Sequence, residues 1–253
     1  MMRERAVLTC WLACGEEQVP EGTGWLSETE RGYAARMRYT KRRADFLVSR
    51  LTLKLAVARV LGWPDDEATL ARIESRPAAD GAPELFVDGR QAGRGVSLTD
   101  RAGCAACLVA EAPADVGCDL ELVEARSDAF VRDYLTGPER DRVAAAPAVR
   151  DVAANLIWSA KESALKVLRT GLRRDTRSVE VTVHDLTPPE HTWSPLSVRA
   201  AEGTVFPGYW RRSGSFLLTA CARGTFPPPS ALDAVCVLDD TAPAHQWVSR
   251  PLA

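Results

Sequence analysis

The chain has 253 residues, 46% of them hydrophobic and 26% charged, which is typical of a globular protein with one large or two small domains. The formal net charge of -2 leaves no strongly basic field, so nucleic-acid binding is not expected. No apolar run approaches the roughly 20 residues that span a bilayer, so a membrane partner is not expected either.

The N-terminal apolar segment, residues 6–13, follows a short basic start and is similar to a lipoprotein signal. Its eight residues are short for the apolar region of a signal peptide. We therefore expect a first β-strand with Val7, Thr9 and Trp11 on one side.

The seven cysteines lie mostly in apolar runs, which predicts reduced thiols in a cytoplasmic protein. Cys104 and Cys107 have the spacing of a redox or zinc pair, but they lie in a strand-like segment, where residues three apart point to opposite faces. No second such pair completes a zinc site. The three histidines, at positions 184, 191 and 245, receive no predicted role.

Residues 26–61 predict mostly helix, because Ser27 and Glu30 have the spacing of a capping box and apolar residues then recur at helical period. Gly62 and Pro64 end this helical region. Three strands follow, at residues 84–87, 96–99 and 104–110, and the last two are joined by a hairpin-like turn.

A second set of elements begins at Val116, with a strand, a short helix capped by Ser127 and another helix starting near Pro138. Residues 149–171 predict a strong helix closed by Gly171. Later strands are predicted at residues 179–183, 196–200 and 216–222. The mixture predicts an α+β fold with units at residues 1–112 and 113–223 and a proline-rich tail at 224–253.

Acidic residues mark the strand that starts at Val116. Asp119 and Glu121 are two apart, so both carboxylates lie on one face, and on the later helix Glu162 and Lys166 are neighbours four apart. Exposed acids at a strand end and a surface ion pair explain each pattern separately. If the helix lies beside the strand, three carboxylates converge, and such a group predicts Mg²⁺ with Lys166 facing a bound phosphate.

The two segments VGCDLE, residues 116–121, and WSAKESALK, residues 158–166, together resemble the paired signature of the 4′-phosphopantetheinyl transferase superfamily. Members carry (V/I)G(V/I)D(I/L)E and (F/W)xxKE(S/A)xxK at similar spacing. The length is similar to that of the larger Sfp-type monomers rather than the small trimeric members. The resemblance covers roughly residues 20–222, including the helical region that contains Arg43 and Arg50.

The resemblance implies two similar α+β halves related by a pseudo-twofold axis, with coenzyme A bound in the cleft between them and a monomeric enzyme. Asp119, Glu121 and Glu162 would hold Mg²⁺ with the coenzyme A pyrophosphate, and Lys166 would contact the phosphates. Glu162 or a metal-bound water would help deprotonate a serine of an apo acyl or peptidyl carrier protein, which attacks the β-phosphate and releases 3′,5′-ADP. The catalytic residues would thus be Glu162 and Lys166.

The carrier protein would dock near residues 130–143. Phe130, Tyr134 and Leu135 are candidate contacts there, although core packing explains these three residues equally well.

Two positions depart from the family pattern. Thr99 and Asp100 stand where a serine and a phosphate-binding histidine are usual, and Ala82 stands where a lysine is common. Beside Arg43, Arg50 and Lys166, the coenzyme A contacts would then include Thr99, Asp100 and Arg101. Three accounts stay open. Arg101 or Arg43 binds the 3′-phosphate; or the donor differs, as a coenzyme A form without that phosphate or a related phosphopantetheine nucleotide; or the protein is a non-catalytic relative that binds carrier proteins or a synthase partner.

Overall fold

The computed structural model describes residues 6–241 and residue 243; His245 and the end of the predicted tail lie outside these residues. The helices are α1 (Glu28–Arg36), α2 (Thr40–Leu61), α3 (Glu67–Leu70), α4 (Asp128–Tyr134), α5 (Gly137–Ala144), α6 (Arg150–Val167) and α7 (Val237–Asp240). The strands are β1 (Thr9–Gly15), β2 (Ile73–Pro77), β3 (Pro83–Val87), β4 (Arg90–Gln91), β5 (Val96–Arg101), β6 (Cys104–Ala110), β7 (Val116–Leu122), β8 (Val179–Val183), β9 (Ser194–Ala200), β10 (Val205–Ser213), β11 (Phe216–Ala222) and β12 (Ser230–Ala231).

The strands form two main sheets and a small one. Their orders are β12-β1-β6-β5, β7-β11-β10-β9-β8 and β2-β3-β4. The strand pairs are antiparallel except for the short parallel pair β1–β12. Helices and mainly antiparallel strands confirm the predicted α+β class.

Each main sheet buries one face under a long helix. Helix α2 covers β1 and β6, and α6 covers β7 and β11. The other faces of the two sheets share a third apolar core that includes Trp11, Leu108, Leu120 and Leu218. Cys104 and Cys107 belong to different cores, as expected for residues three apart on a strand. Among the described residues, no helix is long and apolar enough to cross a membrane.

The two long helices are fixed in the same way. Lys54 of α2 is fully buried, lies 2.7 Å from Glu30 and donates to the Leu70 carbonyl. Lys161 of α6 is also fully buried, lies 2.8 Å from Glu139 and donates to the carbonyls of Thr176 and Val179. Both glutamates are the third residue of a short helix and complete its capping box. This correspondence supports two similar halves; the division at residues 112 and 223 stays a prediction.

The two main sheets meet along the parallel strands β5 and β7, which are joined by side chains rather than by a backbone ladder. The Ser97 hydroxyl accepts from the Cys118 N–H at 3.0 Å, and the Thr99 hydroxyl accepts from the Leu120 N–H at 3.0 Å. We call this contact the β5–β7 seam. It places the acidic residues of β7 between the two halves.

Most predicted elements are confirmed, including the Ser27 and Ser127 caps and the end of α2 at Gly62. Helix α6, however, ends at Val167, and Arg169, with a φ of 56°, takes the left-handed position that follows it; Gly171, two residues later, is also left-handed, with a φ of 50°. Strands β2 and β10 were not predicted; β10 contains Pro207 and Gly208, which are unusual in the interior of a strand.

Candidate functional site

The acidic site is built where α6 packs closely on β7. Gly117 allows this approach, because a Cβ at that position would lie 2.0 Å from the Ser163 carbonyl oxygen. The Ser159 hydroxyl donates to the Asp119 carbonyl and contacts the Thr219 hydroxyl at 2.9 Å, so these polar groups are paired in the interior. Ser159 and Ser163 are therefore buried against β7 and β11 and do not form a solvent-facing polar surface.

Asp119 is held at the seam by two donors on one of its oxygens. Lys166 Nζ lies 3.0 Å from Asp119 Oδ1, and the Thr99 hydroxyl lies 3.3 Å from the same atom. Lys166 also donates to the carbonyls of Cys118 and Leu98. Burial is the largest single influence on the pKa of Lys166 and lowers it, but the Asp119 carboxylate, the hydrogen bond to it and other nearby groups together outweigh burial, so the pKa is raised. Asp119 Oδ2 is buried and has no hydrogen-bond partner.

Glu162 lies one helical turn before Lys166 and is partly buried. Its Oε1 is buried without a partner. Burial, followed by the charge of Asp119, raises the pKa of the Glu162 carboxyl to about 7, although Lys166 opposes this shift. The two acids thus present unpartnered oxygens from two different elements, where their charges repel.

Glu121 differs from these two acids because both of its oxygens are engaged. Trp158 Nε1 donates to Oε1 at 2.9 Å, and Arg126 donates to Oε2 at 3.0 Å. Arg101 lies 3.3 Å from Oε2 and also pairs with Glu124. Burial, with the charge of Asp119, still raises the pKa of Glu121.

We tested whether these acids fit a divalent cation. Within the described part of the chain, no three His, Cys, Asp or Glu side chains are grouped closely enough to hold a metal by themselves. Mg²⁺, however, is commonly held by one or two carboxylates, with water and substrate phosphates completing its shell. The free oxygens of Asp119 and Glu162 fit that mode, and Glu121, with its oxygens engaged, fits it less well.

A cavity of about 1180 Å³ opens on the other side of Lys166. It lies between the start of β5, the segment 80–85, the segment before β7 and the end of α6. Its walls carry more basic than acidic side chains. The basic residues are Arg94, Lys166, Arg169, Arg173 and Arg223, and the acidic residues are Asp80, Glu84 and Asp115.

One ion pair joins the two halves across this cavity. Arg169 Nε lies 2.6 Å from Asp80 Oδ2, its second nitrogen lies 3.1 Å from Oδ1, and Arg173 donates to the Asp80 carbonyl at 2.7 Å. The Arg169 hydrogen bond holds the pKa of Asp80 down to about 2. Arg173 is exposed and has no acidic partner among the ion pairs of the described residues.

The predicted coenzyme A contacts fall into separate environments. Arg50 lies 3.5 Å from Glu30 and stacks on Phe46, and Arg43 lies partly buried near the start of α2. Asp100 is exposed and accepts from the Ser49 hydroxyl at 3.3 Å; desolvation and then the charge of Asp45 raise its pKa. None of Arg43, Arg50, Thr99, Asp100 and Arg101 is among the residues that line the cavity.

The three predicted carrier-docking residues do not share one environment. Phe130, Tyr134 and Trp158 stack on one another with ring centroids 4.9–5.2 Å apart, and Tyr134 is 41% exposed. Leu135 is only 1% exposed and belongs to the core under α6, so packing accounts for it.

Residues 115–221 match the model of the 4′-phosphopantetheinyl transferase superfamily. The matched segment contains both signature motifs and covers less than half of the chain. The predicted enzyme class is confirmed at the level of this superfamily. Among curated proteins, no match was found.

A crystal structure of holo-[acyl-carrier-protein] synthase (AcpS) from Thermotoga maritima is similar to the chain. The TM-score is 0.34 and the sequence identity 24%, over 52% of this chain and 76% of the synthase chain. This level of similarity assigns no residue of the synthase to a position in this chain.

Sequence reasoning missed several residues that build the site. Lys161 lies inside the recognised motif, yet its burial against Glu139 became visible only in the structure. Arg126 and Trp158, which orient Glu121, carried no local signal for that role. Arg169 and Arg173 follow the motif directly, and their basic character was the available signal.

Proposed function

We propose that the protein transfers the 4′-phosphopantetheine group of coenzyme A to a serine of an apo acyl or peptidyl carrier protein and releases 3′,5′-ADP. The observation that carries this proposal is the pair of unpartnered buried oxygens on Asp119 and Glu162, next to Lys166 and a basic cavity. The match of residues 115–221 to the transferase superfamily supports the reaction class.

Asp119 and Glu162 would hold Mg²⁺, with coenzyme A phosphates and water as further ligands. The metal supplies neutralisation of the charge that develops on the pyrophosphate. Lys166 and Thr99 both donate to Oδ1 of Asp119, which leaves Oδ2 free for that role. We assign Glu121 to support rather than direct ligation, because two arginines and Trp158 occupy its oxygens.

The nucleophile is the serine hydroxyl of the carrier protein. Its oxygen forms a bond to the β-phosphorus, and the bond from that phosphorus to the bridging oxygen of 3′,5′-ADP breaks. Glu162 would help take the serine proton; without a bound cation, burial and then the charge of Asp119 raise its pKa to about 7, which suits a general base near neutral pH. A bound Mg²⁺ would lower that pKa. Lys166 would meet a phosphate only by exchanging one of its present hydrogen bonds, so its contact with the phosphates stays a prediction.

The nucleotide part of coenzyme A would occupy the basic cavity. Arg101 is paired with Glu121 and Glu124, which makes it a poor substitute for the missing histidine. Arg173 instead offers a guanidinium without an acidic partner among the described residues, on the cavity wall. We therefore propose Arg173 as the contact for the 3′-phosphate, because arginine binds phosphate through charge-assisted hydrogen bonds.

The transfer assay incubates the full chain with Mg²⁺, coenzyme A and a panel of apo carrier proteins, and mass spectrometry then detects the phosphopantetheine gain on the carrier. The gain is expected with wild-type protein and not when Mg²⁺ is chelated. No gain on any carrier, with either coenzyme A or its 3′-dephospho form, would contradict the proposal and favour a non-catalytic relative that binds carrier proteins or a synthase partner.

The donor assignment is tested by calorimetry with 3′,5′-ADP and 5′-AMP, which differ only in the 3′-phosphate. Wild type should prefer 3′,5′-ADP, and Arg173→Ala should reduce that preference about tenfold. Arg177→Ala is the matched control, because Arg177 pairs with Asp175 outside the cavity. Equal binding of both nucleotides by wild type would indicate a donor without the 3′-phosphate.

The remaining finer assignments are proposals of the same kind. We propose that the aromatic cluster of Phe130, Tyr134 and Trp158, in which Tyr134 is exposed and the other two rings are partly buried, contacts the carrier protein. The Sfp-type subtype, the monomeric state and the cytoplasmic location stay predictions.

A further inference from the structure

A second cavity, of about 340 Å³, lies on a different part of the molecule and shares no lining residue with the larger one. It is formed by β1, β10 and the segment that leads into α7. Its polar or titratable lining side chains are Trp11, His191, Arg211, Asp233, Cys236 and Asp239, of which Asp233 is already paired with Arg59. Val235, 74% exposed, lies at its opening.

Arg211 is the unusual residue of this cavity. It is 7% exposed, and its guanidinium carbon lies 4.7 Å from the Trp11 ring centroid and 5.8 Å from that of Trp193. Among the described residues it forms no ion pair and no hydrogen bond. Stacking on aromatic rings offsets only part of the desolvation cost of a buried cation. Within the described part of the chain, this buried guanidinium therefore has no ion-paired anion, although the Asp239 carboxylate lies near enough to act on its charge.

Three buried polar atoms without a hydrogen-bond partner line the same cavity. Trp11 Nε1 and Arg211 Nε are donors, and Asp239 Oδ1 is an acceptor. Asp239 Oδ1 lies 3.1 Å from His191 Nδ1, but without the alignment of a hydrogen bond. Buried polar groups are nearly always paired in native proteins, so three groups that line one space and are unpaired among the described residues indicate a site that can bind a polar ligand.

We propose that this cavity binds a small carboxylate that also carries a hydrogen-bond donor, such as a hydroxycarboxylate. The carboxylate accepts from Arg211 and Trp11, and the donor group of the ligand reaches Asp239. A single negative charge fits, because Asp239 would repel a phosphate dianion. The volume lies at the lower end of the range for ligand sites, which limits the ligand to a small molecule.

Such a ligand would join three elements. Trp11 belongs to β1, Arg211 to β10 and Asp239 to α7, so an occupant bound to all three ties the C-terminal segment to both main sheets. Binding should therefore raise the unfolding temperature and protect residues 226–241 from proteolysis.

The experiment measures thermal unfolding and calorimetric binding with lactate, acetate and inorganic phosphate, at matched ionic strength in sodium chloride. We expect saturable binding and stabilisation by lactate, weaker effects of acetate and no effect of phosphate beyond that of the salt. Absence of saturable lactate binding, which is the result for a cavity that holds only water, overturns the proposal. Tighter binding of phosphate than of lactate overturns the carboxylate assignment.

Two variants localise the effect. Arg211→Gln should weaken lactate binding at least tenfold. Trp11→Phe, which keeps a six-membered aromatic ring but removes the five-membered ring with its N–H donor, should weaken it severalfold. Arg212→Gln is the control, since Arg212 is adjacent on β10 and donates to the Gly214 carbonyl. If Arg211→Gln does not fold, Trp11→Phe still decides the matter, and unchanged binding in that variant contradicts the proposed contacts.

Discussion

Helices α2 and α6 present the same framework with different chemistry. Each buries a lysine, Lys54 or Lys161, against the capping-box glutamate of a short helix and against backbone carbonyls. The next residue is Leu55 in α2, which packs on the core, and Glu162 in α6, which has a free carboxylate oxygen at the seam. The framework therefore belongs to both halves, whereas the acidic site belongs to one.

The fifth residue after each buried lysine shows the same contrast. In α2 this is Arg59, which pairs with Asp233 of the C-terminal segment. In α6 it is Lys166, which holds Asp119 and borders the basic cavity. The adjacent motif residues Lys161 and Glu162 thus have different environments, because Lys161 is buried and fixes the helix whereas Glu162 faces the candidate site.

Breaking the shared framework should give the largest effects on stability. Lys161→Met leaves the Glu139 carboxylate buried and unpaired, and we expect a loss of about 3–5 kcal/mol in the free energy of unfolding. Lys54→Met should lose a similar amount through Glu30. Urea unfolding of both variants measures this, and a loss below about 1 kcal/mol in either would contradict the equivalence of the two lysines.

Replacing Glu162, whose counterpart in α2 is Leu55, should lower the transfer activity. Glu162→Gln should lower the transfer rate about 10²–10⁴-fold, as expected for loss of a general base, while the protein stays folded. Glu28→Gln, in the exposed first turn of α1, is the control. Mg²⁺ should raise the unfolding temperature of the wild type and not of Glu162→Gln. Equal stabilisation of both proteins would show that Glu162 is not a ligand.

Substitutions at the β5–β7 seam should distinguish effects on stability from effects on activity. Ser97→Ala and Thr99→Val each leave one N–H of β7 without its hydroxyl acceptor, so each should cost about 1–3 kcal/mol. Thr99→Val should also reduce transfer, because it removes a donor from Asp119. Urea unfolding and the transfer assay distinguish the two, and Thr99→Ser should restore most activity. Equal activity losses for Ser97→Ala and Thr99→Val would count against the role of Thr99.

The smallest effect concerns the ion pair between Asp80 and Arg169. The Arg169 hydrogen bond lowers the pKa of Asp80 to about 2 in the folded protein, from 3.8. Its contribution is therefore present above pH 3.8 and is lost as the pH falls through about 2. Asp80→Asn should be slightly less stable than the wild type at pH 6, with the difference disappearing near pH 2.

Replacing the other partner tests the backbone as well. Arg169→Gly removes the ion pair, which should lower the free energy of unfolding, but glycine suits the φ of 56°, which should raise it. The two effects on stability should nearly cancel. Thermal unfolding at both pH values tests the two variants, and a persistent difference between Asp80→Asn and the wild type near pH 2 would show that Asp80 acts through other contacts.

The sequence by itself determined the parts that depend on neighbouring residues. Three such patterns are local, because capping and side-chain periodicity act over a few residues. They are the capping box of Ser27 and Glu30, the acids at alternate positions of β7, and the four-residue spacing of Glu162 and Lys166. The α+β class and the signature pair followed from these patterns. The closing position of α6 was wrong, since Arg169 adopts the conformation that was expected of a glycine nearby.

Only the tertiary structure decided which partner each charged group receives. Glu121 looked equivalent to Asp119 in sequence, yet Arg101, Arg126 and Trp158 occupy its oxygens. Leu135 looked available for docking, yet it is buried. These outcomes depend on contacts between residues far apart in the chain, and burial fixes the cost of leaving a charge unpaired. For that reason the motif indicated where the candidate site lies, and the fold decided which of its charged groups are paired.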